Sequence, residues 1–138
     1  MTSILASLVY DSWTEPIPEL RSIPLPDRHL IFEGDGLILD LLLKTQRGSD
    51  STCIHVGGQI LPGNNSLDTV CDVAVVMEQG PSRTYTHTNA LGEFAFPAAP
   101  AGTFDVTITL ADRSFVVRGL SNDQPRTWRV VAARAAVR

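Results

Sequence analysis

The stretch Asn89-Ala90-Leu91-Gly92-Glu93-Phe94-Ala95-Phe96-Pro97-Ala98-Ala99-Pro100-Ala101-Gly102-Thr103-Phe104-Asp105-Val106-Thr107-Ile108-Thr109-Leu110 decides the fold class. It reads as a tight turn, a short strand, a Pro/Gly corner and a long alternating strand. Phe104, Val106, Ile108 and Leu110 fall on one side of an extended chain and Asp105, Thr107 and Thr109 on the other, the period-2 pattern of a half-buried antiparallel strand. The turn has a mechanism: Asn89 can cap its own backbone as an Asx turn, and Gly92 can take the positive φ that a hairpin turn or bulge requires.

Working outward, strand candidates recur at 54–61, 70–78, 83–88, 93–96, 103–110, 114–120 and 127–132. Pro62-Gly63-Asn64-Asn65, Gln79-Gly80-Pro81, Ala111-Asp112-Arg113 and Ser121-Asn122-Asp123 place turn chemistry between them. Short strands with regular turns predict an all-β chain, an antiparallel sandwich of about seven strands. Upstream, Pro16, Pro18, Pro24 and Pro26 deny ladder hydrogen bonds and make 13–26 an extended arm. Segments 30–33 and 37–43 then flank Gly34-Asp35-Gly36 as a hairpin. The second of these is apolar on both faces, with Leu37, Leu39, Leu41 and Leu43 on one and Ile38 and Leu42 on the other. Such a strand is sandwiched in the fold, the default, or is an edge that another chain covers. Polar residues at 46–52 make a joint, giving an N-terminal region at 1–50 with leader, arm and hairpin, and a sandwich domain at 51–138. Segment 1–10 fits either a helix or a strand, and only it and the last few residues offer helix.

The chain has 138 residues, enough for one domain that removes about two-thirds of its unfolded surface from water. A net charge of −4 with a single lysine, Lys44, excludes long-range attraction to nucleic acid or anionic lipid. The arginines at 126, 129, 134 and 138 read as a solvated tail. No basic residue precedes Arg21, so a signal peptide's start is lacking, and no run reaches the ~20 apolar residues of a membrane span. A soluble, cytoplasmic protein is expected, with Cys53 and Cys71 as half-buried thiols; an oxidising compartment would let them cross-link if they faced each other.

Val56-x-Gly58-x-Ile60, Leu67, 70–76, the turn from Thr88 to Phe96 and Pro100-Ala101-Gly102-Thr103-Phe104 together resemble a carboxypeptidase regulatory-like domain, a prealbumin-like sandwich within the immunoglobulin-like architectures. The likeness covers 53–120. It implies architectural roles for Asn89, Gly92, Phe94, Phe96, Pro100, Gly102 and Phe104, and an accessory module without catalysis. Ala99 departs from the large apolar residue usual before the corner proline, and Phe104 from the common Tyr. Segment 5–13 with 28–33 and 37–41 is similar to the leader of small bacterial proteins associated with sigma factors and caspase-like protease systems. That implies an intracellular signalling or defence regulator.

Catalytic constellations are missing: no Gly-x-Ser-x-Gly elbow, no phosphate-cradling loop and no Cys-x-x-Cys. Cys53 and His55 share one strand face and Cys71 or His87 can approach from neighbours, yet tight zinc-ligand spacing is absent and half-exposed strand residues are the plainer reading. The sandwich is also similar in outline to collagen-adhesin B-type repeats, a likeness that implies that a Lys to Asn or Asp amide bond can form in the core; Lys44 lies outside the motif, which disfavours that chemistry. Trp128 alternates with Val130 and reads as core; Trp13 either pins the arm to its own sheet or projects into another protein. The expectation is therefore a non-enzymatic protein-binding regulator with no cofactor, whose partner is a sigma factor or caspase-like protease met through Trp13, Leu37, Leu39 and Leu41. Proteolytic cleavage in the arm or the joint is a refinement. The alternative is a structural or carbohydrate-binding module of an extracellular assembly.

Overall fold

Alternation along each strand determines which side chains leave water, and the ladders determine which strands share that burial. A computed structural model describes residues 2–13, 27–47, 52–63 and 70–122. Within them lie ten strands and no helix: β1 (Thr2–Leu5), β2 (Ser7–Asp11), β3 (Arg28–Gly34), β4 (Leu37–Arg47), β5 (Thr52–Pro62), β6 (Ala74–Gln79), β7 (Ser82–His87), β8 (Glu93–Pro100), β9 (Phe104–Thr109) and β10 (Arg113–Leu120). They form two five-stranded sheets, ordered β1-β10-β9-β6-β7 and β2-β3-β4-β5-β8. Every pairing is antiparallel except β1 with β10. The inner faces share one core that includes Leu39, Leu41, Val56 and Phe96 from one sheet and Val75, Val106, Ile108 and Phe115 from the other. The result is a sandwich-like all-β fold.

The alternation read in β9 holds: Phe104, Val106 and Ile108 are buried, while Asp105, Thr107 and Thr109 are half-exposed. Asn89 forms the expected Asx turn, its Oδ1 accepting the Leu91 and Glu93 amides at 2.9 Å each. Gly92 has φ of +80°, and a Cβ there would stand 2.4 Å from the Ile60 carbonyl oxygen, so both conformation and space require glycine. The β3–β4 hairpin turns through Asp35 and Gly36, both at positive φ, as an Asp-Gly hairpin favours.

Several expectations change. Residues 2–10 are strand, broken only at Ala6, because both halves find partners at sheet edges. The 93–96 strand runs on to Pro100. Pro97 and Pro100 are tolerated there because β8 is an edge strand whose outer side needs no donors. Residues 70–72 turn rather than extend, held by Thr88: its Oγ1 accepts the Val73 amide at 2.8 Å and donates to the Val70 carbonyl at 2.5 Å. The 1–50 and 51–138 division also does not separate two packed units. β4 and β5 pair from Leu37↔Pro62 to Arg47↔Thr52 across that line, and leucines of β4 fill the common core. The arm at 14–26, Leu67, the strand candidate 127–132 with Trp128, and the C-terminal arginines lie outside the described residues.

Candidate functional site

Of the sequence-predicted partner residues, Leu37, Leu39 and Leu41 are 2%, 0% and 0% exposed. They point between the sheets and hold them together, so none meets a partner in the folded chain; β4 follows the sandwiched alternative. Ile38 and Leu42, on its other face, are half-buried. Trp13 is likewise buried, under its own molecule's Arg28, whose guanidinium carbon sits 4.7 Å from the indole ring centroid. It pins its own sheet. Phe94 and Phe96 meet edge-to-face at 6.1 Å, and Phe104 is core. The Pro100 carbonyl accepts from Gln79 Nε2 at 2.9 Å, beside the Gly102 corner.

Around Trp13 is a clamp that sequence spacing concealed. The buried Asp11 carboxylate takes Arg28 Nε on Oδ1 at 3.1 Å and an Arg28 terminal nitrogen on Oδ2 at 2.6 Å, while Oδ1 also accepts the Trp13 amide at 3.1 Å. The remaining Arg28 terminal nitrogen donates to the Ser121 carbonyl at 2.8 Å. Such a buried charge is tolerated because the pair is bidentate and its spare valences are filled. The clamp joins the end of β2, the start of β3 and the residues after β10.

Beside it, on the outer face of the same sheet, His29 Nε2 lies 2.6 Å from Asp40 Oδ1, and the Tyr10 ring stands edge-on to the imidazole at 5.5 Å. The nearby Ser12 hydroxyl accepts the His29 backbone amide at 2.9 Å. Cys53 and Cys71 are free thiols. Cys53 opens β5, whereas Val70, next to Cys71, lies against Gly92, whose carbonyl accepts the amide of Ile60 near the other end of β5. Seven residues of strand separate those ends, about 24 Å, far beyond the ~6 Å between Cα atoms that a disulfide spans. Among the described residues no group of three or more His, Cys, Asp or Glu can hold a metal ion, so Cys53, His55, Cys71 and His87 are not brought together. An open cleft of about 510 Å³ lies at the tip of the β3–β4 hairpin, near Ser7, Glu33 and Gly63. At its mouth Asp35 is held by Arg113 Nε at 2.7 Å.

The feature left outside the core is the N-terminal strand. β1 lines one edge of the first sheet and, past Ala6, β2 lines one edge of the second. Leu5, Leu8 and Val9 are 66%, 46% and 49% exposed, three of the five large apolar side chains that stand in solvent among the described residues. Leu8 pairs with Phe32 and Tyr10 with Ile31, so Val9 is a bulge residue, and at this sheet edge two consecutive apolar side chains stay in solvent. Other edges carry protective features: Pro97 and Pro100 in β8, and Arg83 in β7. From Thr2 to Tyr10 there is neither charge nor proline. The signal was visible as an apolar leader, but its direction depended on strand partners that the sequence did not reveal.

No protein-family model matches the chain, and no curated protein or solved structure matches it. Among the described residues no helix is long and apolar enough to cross a membrane.

Proposed function

We propose that this chain is a non-catalytic interaction module that binds another protein through its N-terminal edge strand. The observation that carries this reading is the exposed run Leu5, Leu8 and Val9 on an edge without charge or proline. Apolar side chains left in water beside unpaired backbone groups favour a partner that covers them. In this reading the sandwich is of the prealbumin-like type, supported by the Asn89–Gly92 turn, the Phe94–Phe96 pair and the corner at Gly102. The module is a regulatory component of a bacterial signalling or defence pathway, in the cytoplasm, with a sigma factor or a caspase-like protease as partner; that assignment rests on the resemblance of segments 5–13, 28–33 and 37–41. Cleavage by such a protease within 14–26 or 46–52 is a refinement, tested by the intact mass after incubation.

The test is titration calorimetry of the full chain against the sigma factor and the caspase-like protease of its host, with wild type and a Leu8→Glu, Val9→Glu double variant. Binding by wild type that weakens at least ~tenfold in the variant supports the reading. Absence of binding to either protein, or equal binding by both forms, overturns it.

A further inference from the structure

After β10 the chain crosses to the other sheet, and two hydrogen bonds fix where it arrives. The Ser121 carbonyl accepts from an Arg28 terminal nitrogen at 2.8 Å, and Asn122 Nδ2 donates to Thr45 Oγ1 at 2.5 Å. Arg28 opens β3, Thr45 lies near the end of β4, and Arg28 is itself held by Asp11, the last residue of β2. Asn122 therefore stands at the end of the sheet where β2 finishes. The chain continues to Arg138, and in that stretch Thr127-Trp128-Arg129-Val130-Val131 is a strand candidate that lies outside the described residues. Two outer strands of this sheet are in reach, β2 and β8. The place beyond either is three strand spacings from β4, about 14 Å, and the step from residue 122 to residue 127 spans up to about 17 Å. β8 carries Pro97 and Pro100, which take donors from its edge, whereas β2 has no proline and leaves Leu8 and Val9 46% and 49% exposed. The residues between Trp13 and Asp27 start and finish at this same end, but Pro16, Pro18, Pro24 and Pro26 remove the donors that a ladder needs.

We propose that residues 127–131 add to the open side of β2, and that a protein partner must displace them to reach this edge. Direction follows from the point of entry: a chain arriving at the Asp11 end of β2 runs back toward Ser7, antiparallel to it. The five residues of β2 match the docked segment in length. Alternation supplies apolar cover on both faces, with Trp128 and Val130 on one and Val131 on the other, beside Leu8 and Val9. Between Thr2 and Tyr10 no charge opposes Arg126 or Arg129. So short a strand, held along one side, yields to a partner strand that offers the same backbone groups and more contact. The displacement rests on the edge-binding reading above; the docking does not.

Hydrogen exchange of the full chain, read residue by residue by nuclear magnetic resonance, tests the docking, with folding of each variant checked by circular dichroism. Amides of 127–131 are expected to exchange at least ~tenfold more slowly than an unstructured chain. Val130→Pro combined with Val131→Pro breaks the ladder in any register, because successive residues point their N–H groups to opposite sides and one of the two must face β2. In that variant the outward amides of Ser7 to Tyr10 are expected to exchange at least ~tenfold faster, while those of β9 are unchanged. Leu8→Glu with Val9→Glu should speed exchange at 127–131 in turn. Unprotected amides at 127–131 in the wild type, or exchange at 7–10 that is indifferent to the proline pair, overturns the docking. In calorimetry the variants move partner binding in opposite directions, weaker for the glutamate pair and at least ~tenfold tighter for the proline pair. Equal partner binding by wild type and the proline pair overturns the displacement. Absence of binding to either protein overturns the edge-binding reading and the displacement with it, and leaves the docking to the exchange data.

Discussion

β4 and the N-terminal strand are both rich in leucine, yet one is the centre of the core and the other stands partly in water. β4 has a strand on each side and a second sheet across from it, so Leu39, Leu41 and Leu43 lose all contact with solvent. The strand from Thr2 to Asp11 has one neighbour at a time, and at that edge Leu8 and Val9 keep about half of their surface in water. Apolar content therefore states that a segment must be covered, and position in the sheet states by what.

The same deletion in the two places tests this directly. Leu41→Ala is expected to destabilise the fold by about 3 to 4 kcal/mol in chemical denaturation, because a cavity is left between sheets that cannot collapse. Removing one clamp partner by Asp11→Ala is expected to cost about 3 kcal/mol, because Arg28 is left charged against Trp13 without its carboxylate; Asp11→Ala combined with Arg28→Met should recover part of that loss. Asn89→Ala, which removes the oxygen that accepts two backbone amides in an exposed turn, should cost about 1 kcal/mol. Leu8→Ala should change stability by less than about 0.5 kcal/mol, since the side chain is already in solvent. A cost for Leu8→Ala near that of Leu41→Ala would break the comparison and place Leu8 in the core.

Much of the fold was legible where the physics is local. The period of β9, the Asx turn at Asn89 and the Asp-Gly hairpin each depend on residues a few positions apart. The partner-binding leucines were misplaced because a strand apolar on both faces fits a sandwiched strand and a covered edge equally, and only the flanking ladders separate the two. The Asp11–Arg28 clamp joins residues on either side of a proline-rich segment, and no spacing rule links them. Pro97 and Pro100 suggested an earlier end to β8 because prolines break interior ladders, whereas β8 lies at an edge.

The crossing at Ala6 has a consequence in time. Its amide donates to the Val116 carbonyl, and β1 runs parallel to β10, so the first described strand completes its pairing only with the last. During synthesis β2 has β3 within reach early, while β1 waits until residues 113–116 have emerged. Such a long-range closure is slow to form, and until it forms the uncharged segment from Thr2 to Leu5 is without its sheet. β1, an edge strand of the finished sandwich, is thus the strand that a newly made chain leaves longest unpaired.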